Sequence, residues 1–120
     1  SLITVNVKGR DFKIENFYEG IVRINFNKLC NQNLGAEDYL EIIKNCKFLI
    51  VEQVPQFNDT NSNQQKRFIT LLDVIYDKGI PMAITAKQNI NEFTSSRLLE
   101  NSFKRTISRL YELTSIEKNL

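Results

Sequence analysis

FLIVEQVPQFNDTNSNQQKRFITLLDVIYDKGIPMAITA, residues 48–86, is the stretch whose reading decides the fold. It opens on an apolar run, Phe48-Leu49-Ile50-Val51, of the kind a buried parallel strand carries. Pro55 has no N–H to give a ladder, so the strand is expected to stop by that point. An Asn- and Asp-rich loop follows from Gln56 to Asn63, where Asp59 or Asn61 can cap a helix. The pattern from Lys66 to Lys78 is helical, with Phe68, Leu71, Leu72 and Ile75 on the inner face and Gly79 as a stop signal. Ile80 to Ala86 is a second apolar run. Strand, helix and strand of these lengths suit a right-handed parallel crossover in an α/β domain.

Upstream, Ile3, Val5 and Val7 alternate with Thr4, Asn6 and Lys8. Gly9-Arg10-Asp11 supplies turn chemistry, and Phe12 and Ile14 resume the alternation, which predicts a β-hairpin. Val22, Ile24 and Phe26 predict a third strand. Asn27 can cap a helical turn carrying Leu29 and Cys30, and Gly35 breaks it. A helix is expected from Ala36 to Cys46, burying Ala36, Tyr39, Leu40, Ile43 and Cys46. Downstream, Asn89 or Asn91 can cap a short helix through Leu99 that buries Leu98 and Leu99. Asn101 or Ser102 can cap a last helix whose stripe is Phe103, Ile107, Leu110 and Leu113 or Thr114. The three N-terminal strands and the strand–helix–strand unit fit one mixed sheet or two subdomains.

Composition bounds the function classes. At 120 residues, 42% hydrophobic and 25% charged, the chain has the makings of one ordinary globular domain or part of one. A net charge of +2 gives no bulk argument for nucleic acid or an anionic membrane. No apolar run approaches the roughly 20 residues of a membrane span. The absence of histidine removes Ser-His-Asp and Cys-His catalysis within this chain. Neither a G-x-x-x-x-G-K-[ST] loop nor a G-x-G-x-x-G turn is present. Cys30 and Cys46, with no secretory signal before them, are read as reduced thiols, Cys30 as a small buried one. Ser1 is followed almost at once by a strand, which leads us to expect a piece of a longer polypeptide.

Two constellations carry charge chemistry. Arg105 and Arg109 lie four apart on one helix face beside Lys104. They can clamp a phosphate or carboxylate, or form structural ion pairs on a solvated face. Asp73 and Asp77 are also four apart, a repulsive spacing unless something compensates. A pairing of Asp73 with Arg105 or Arg109 would supply that compensation, while Asp77 can be solvated. Lys66-Arg67 near a helix N-terminus call for an acid or a bound anion. Glu52, after the first apolar run, resembles a Walker B acid in place but lacks a P-loop to serve, which favours a surface carboxylate.

A further pattern spans the chain: Phe26-x-x-Leu29-Cys30, Leu34-Gly35-Ala36-x-Asp38-Tyr39-Leu40, Val54-Pro55, Lys66-Arg67-Phe68-Ile69-x-Leu71-Leu72-Asp73-x-x-Tyr76-Asp77, Ala86, and Phe103-x-Arg105-Thr106-x-Ser108-Arg109-Leu110-x-Glu112. In this order and spacing it resembles the C-terminal region of the ZapE family of AAA+ P-loop ATPases, bacterial cell-division ATPases and their mitochondrial relatives. The resemblance implies that residues 1–120 are the C-terminal portion of one AAA+-type ATPase whose Walker A and B motifs lie upstream. It implies ATP and Mg2+ in the full-length parent, and neither cofactor nor hydrolysis for this chain alone. No catalytic residue is assigned here. Arg105, Arg109 and Arg67 become candidates for nucleotide or anion contact, with Asp38, Tyr39, Asp73, Tyr76, Asp77 and Ser108 as the structural motif and no metal site.

The partners so implied are the rest of the ATPase chain or its oligomer and division or membrane-complex proteins, without nucleic acid or a transmembrane segment. The location implied is the cytoplasm or the periphery of the inner membrane, on the matrix side for a mitochondrial member. The chain departs from the family pattern at Lys66-Arg67, where two arginines are usual, at Glu112-Leu113 in place of Glu-Met, at the Asn119-Leu120 ending, and in a short loop after Ala86. A different class also fits: a module derived or split from such an ATPase that binds a protein and no nucleotide. A stand-alone enzyme has little support, because no nucleophile–base set is visible. If upstream residues supply central strands, the chain alone would expose apolar edges.

Overall fold

Period-two alternation gives the first part of the chain two tight hairpins in the computed structural model, which describes residues 1–115. Strand β1 (Ile3–Val7) pairs antiparallel with β2 (Arg10–Ile14), and β3 (Asn16–Tyr18) with β4 (Ile21–Asn25). The two-residue loops are Lys8-Gly9 and Glu19-Gly20, all at positive φ, as a type I′ turn requires. The first turn thus sits earlier than Gly9-Arg10-Asp11, because Arg10 already pairs with Val7. Gly20 is constrained twice over. Its φ is +89°, and a Cβ there would stand 2.8 Å from the Lys47 side chain. Its carbonyl accepts the Lys47 N–H at 2.7 Å, which docks the start of the next strand.

The continuous apolar run becomes β5 (Phe48–Val54), longer than Phe48–Val51 and ended by Pro55 as expected. Strand β6 (Met82–Ala86) begins after Pro81, which cannot donate to the ladder, so Ile80 is outside it. The order is β3-β4-β5-β6, with β4, β5 and β6 parallel and Val22, Leu49 and Met82 in register. One mixed four-stranded sheet therefore joins the N-terminal strands to the crossover unit, and β1–β2 stands as a separate ribbon. Near the end of β5 the register slips between Val51 and Val54, a bulge that leaves Gln53 at φ +59°.

The helices are capped by neighbours of the expected residues. Helix α1 (Phe26–Cys30) takes Asn25, not Asn27, as its cap: the Asn25 side chain accepts the Asn27 N–H at 2.9 Å. Phe26 is accordingly helical and not the end of a strand. Helix α2 (Ala36–Ile42) is shorter than Ala36–Cys46, and its inner side is Tyr39 and Ile42, while Ala36 and Leu40 are exposed. Asn58 caps a 3-10 turn (Asp59–Asn61) that leads into α3 (Ser62–Lys78). Asn61 occupies the position before α3, but its amide bonds back to the Gln56 carbonyl. Helix α3 ends at Gly79 as expected. No helix runs from Asn89 to Leu99. A 3-10 turn (Ile90–Glu92) and an extended loop stand there, and Leu98 is 80% exposed. Helix α4 (Glu100–Thr114) follows Leu99, without a side-chain cap from Asn101 or Ser102. The Asn119-Leu120 ending lies outside the described residues.

One core runs under the helices, lined by Val22, Ile24, Leu49, Val51 and Met82 from the sheet. At its centre Phe26, Phe57 and Phe68 stand with ring centroids 5.6–5.8 Å apart, and Phe103 meets Phe57 edge-on at 5.4 Å. Phe57 belongs to the loop after β5, yet it is fully buried. Both cysteines are buried and free, and burial pushes the Cys30 thiol up to about 12, so it is protonated at neutral pH. We expect Phe57→Ala to destabilise the chain by about 3–5 kcal/mol in urea unfolding. The exposed Leu98→Ala should stay within about 0.5 kcal/mol. Equal small effects at the two sites would contradict this core.

Candidate functional site

Helix periodicity places the charged residues. In α4, Phe103, Thr106 and Leu110 point into the core, so Arg105, Arg109 and Glu112 form the stripe alongside. Helix α3 buries Phe68, Leu71, Leu72 and Ile75 and brings Asp73 and Tyr76 to the same seam. The Asp73 carboxylate bridges both arginines. Its Oδ1 accepts from Arg109 Nη1, and its Oδ2 lies 3.8 Å from Arg105 Nη2. The ion pairing that the like-charge spacing of Asp73 and Asp77 called for is thus made by Asp73 with both arginines, whereas Asp77 is exposed.

The two arginines are held differently. Arg109 is 23% exposed, hydrogen-bonded to Asp73, and stacked with its guanidinium carbon 4.5 Å from the Tyr76 ring centre. Arg105 is 61% exposed and touches Asp73 only at ion-pair range. Its fork is free to turn toward an external phosphate or carboxylate; the Arg109 fork is fixed in place. Hydrogen bonding to the Glu112 carboxylate raises the Tyr76 pKa, its negative charge and partial desolvation add to this, and the Arg109 cation opposes it. The result is a polar chain, Arg105–Asp73–Arg109–Tyr76–Glu112, along the α3–α4 seam. Glu112 closes the family pattern in the sequence but was not among the candidate site residues, although its spacing of three from Arg109 puts it on the same face.

Arg67 does not join this cluster. Helix α3 begins at Ser62, so Arg67 sits beyond the first turn, where the helix dipole no longer demands an acid or an anion. Its Nη1 donates instead to the Cys30 carbonyl at 3.1 Å and closes the end of α1. Asp38 and Tyr39 also tie elements together. Asp38 accepts the Gly35 N–H at 2.7 Å and pairs with Lys8 at 3.2 Å, holding α2 to the first hairpin. The Tyr39 hydroxyl donates to the Leu29 carbonyl at 2.7 Å, holding α2 to α1. Ser108 is exposed on α4. Glu52 pairs with Arg23 at 3.6 Å across the open face of the sheet. Among the described residues no group of three or more Cys, Asp and Glu gathers for a metal ion.

A sequence model of the AFG1-like ATPase family matches residues 1–119. Lactation elevated protein 1 homolog B of Danio rerio is 35% identical over 82 residues, 68% of this chain and 16% of that protein. Cell division protein ZapE of Escherichia coli K12 is 26% identical over 94 residues, 78% of this chain and 25% of that protein. The chain thus spans no more than about a quarter of the length of these relatives. No solved structure matches it.

The raised Tyr76 pKa gives a test with a definite sign. Its neutral form is favoured by folding, so that contribution to stability is intact below pH 10 and is lost as the pH rises through the higher folded value. In NMR titration of carbon-13-labelled tyrosine, Tyr76 should ionise above 10.0, and Glu112→Gln should bring it down. Arg109→Ala should move it further up. A Tyr76 titration unmoved by Glu112→Gln would contradict the seam geometry.

Proposed function

The chain belongs to the AFG1-like ATPase family, and on that premise we propose that it serves as the C-terminal region of a longer P-loop ATPase. In this reading Arg105, set beside Asp73 and Arg109, contacts nucleotide phosphate or an acidic group of a neighbouring subunit. The observation that carries it is the unequal hold on the two arginines. Asp73 and Tyr76 fix Arg109, while Arg105 stays exposed with most of its donors unspent. A positioned guanidinium is what phosphoryl transfer draws on to stabilise charge in the transition state.

ATP and Mg2+ belong, in this proposal, to a phosphate-binding loop elsewhere in the parent polypeptide. The small share of its relatives that this chain spans supports that division of labour. The name of the E. coli relative supports a role in bacterial cell division for the parent. The peripheral surface of an inner membrane is the location we propose. No helix among the described residues is long and apolar enough to cross a membrane. A second reading, a protein-interaction module without nucleotide, is favoured by one observation. The sheet face away from the helices carries Ile21, 44% exposed, beside Tyr18, 68% exposed, although parallel sheets are ordinarily covered on both faces.

The test is ATP turnover by a polypeptide that joins the upstream P-loop portion to this chain. Arg105→Ala should cut kcat by about 10³-fold while circular dichroism stays unchanged. Arg109→Ala should lower kcat as well, with a stability loss on the order of 1 kcal/mol from the broken Asp73 pair. Full turnover in a folded Arg105→Ala variant would overturn the nucleotide-facing role and leave the interaction module.

A further inference from the structure

We propose that the carboxyl edge of the parallel strands is a binding site for a small organic carboxylate. Strands β4, β5 and β6 run in sequence order without a topological switch point, so the cavity and its lining carry the site. This edge holds a cavity of about 590 Å³ with Val54, Pro55 and Ala86 as an apolar floor. The rim is Gln53, Thr85, Lys87 and Gln88. No Asp or Glu lines it.

The orientation of the rim amides is dictated by backbone donors. Thr94 N–H donates to Gln56 Oε1 at 2.7 Å, so Gln56 presents its Nε2 to Gln88 and meets Gln88 Oε1 at 3.0 Å. The free end of Gln88 is therefore its NH2. The same logic runs through β4. Asn27 N–H donates to Asn25 Oδ1, so Asn25 presents Nδ2 to Gln53 Oε1 at 2.6 Å, and the free end of Gln53 is its NH2. Thr85 Oγ1 accepts the Gln53 N–H at 2.8 Å, which leaves the hydroxyl hydrogen to donate outward. Lys87 adds an ammonium with no ion-pair partner among the described residues. Each of these side-chain acceptors already takes a hydrogen bond within the protein, and the Gln53, Gln88, Thr85 and Lys87 donors stand around an apolar floor.

The bulge makes this convergence possible. Gln53 is a non-glycine residue at φ +59°, a conformation that costs on the order of 1 kcal/mol and that re-aims its side chain at the end of the strand. One ammonium and three neutral donors suit an anion, and the apolar floor of Val54, Pro55 and Ala86 favours an organic carboxylate over inorganic phosphate. The floor then takes a short apolar substituent. This site shares no residue with the Arg105–Asp73–Arg109 seam.

Isovalerate and inorganic phosphate are the probes, titrated separately into nitrogen-15-labelled chain while the side-chain NH2 signals of Gln53 and Gln88 are followed. Isovalerate should shift both signals saturably at millimolar concentration. The exposed Lys87→Gln variant, which leaves the core untouched, should weaken that binding by about tenfold. Phosphate should bind more weakly than isovalerate. Three results would overturn the proposal: non-saturating shifts with isovalerate, binding that survives Lys87→Gln unchanged, or phosphate binding as well as isovalerate.

Discussion

Four phenylalanines from four different parts of the chain meet at one point, and the placement of everything else follows from that meeting. Phe26 comes from α1, Phe57 from the loop after β5, Phe68 from α3 and Phe103 from α4. Each ring of this size buries a large apolar area, and tilted or edge-to-face pairs add about 0.5–1.5 kcal/mol apiece. A loop of polar residues thereby becomes a fixed element. With Phe57 anchored, the chain between Pro55 and Ser62 has little freedom, Asn58 and Asn61 make short-range bonds, and Asp59 accepts the Arg97 N–H from far along the chain. Helix α4 is then held against α3 by Phe103 at one end and Leu110 further along.

That helix pair sets the electrostatics. Once Phe103, Thr106 and Leu110 face inward, the i, i+4 arginines have one place to go, beside Asp73 of α3. The seam is part-buried, so its ion pairs are worth more than those of an open surface and less than those of a dry core. The two arginines of the seam are held unequally. Arg109 has an acid and an aromatic face for company, and Arg105 has only the far oxygen of a shared acid. On the other side of the fold, the ends of β5 and β6 border a hollow lined by Gln53, Val54, Thr85 and Ala86, next to the β5 bulge.

Sequence alone made the parallel unit legible, because a continuous apolar run and a helix-period stripe are hard to place otherwise. It also made the Asp73–arginine pairing legible, since like charges at i, i+4 ask for a partner. Strand β3 was not legible: Asn16, Phe17 and Tyr18 have little alternation, and they hold their shape by pairing with β4. Residues 89–99 misled for a related reason. Leu98-Leu99 looks like a buried helical pair, but Gln65 takes the Ser96 N–H and Asp59 takes the Arg97 N–H, which pins the segment as a loop and turns Leu98 outward. The caps differed from expectation because asparagines crowd each helix start, and which one caps is settled by tertiary contacts such as the Asn61–Gln56 bond. Arg67 was read for its charge, yet it is used for its donors, on the Cys30 carbonyl. Glu112 and Tyr76 stood in the family pattern, but nothing in the sequence showed that Tyr76 stacks on Arg109.

The seam geometry divides the two arginines, with Arg109 held by Asp73 and Tyr76 and Arg105 exposed. A double-mutant cycle in urea unfolding tests that division most directly, with Asp73→Asn combined in turn with Arg109→Met and Arg105→Met. A coupling energy of about 1 kcal/mol between Asp73 and Arg109, and one near zero between Asp73 and Arg105, is the predicted result. Additive effects for Arg109, or equal coupling for the two arginines, would contradict it.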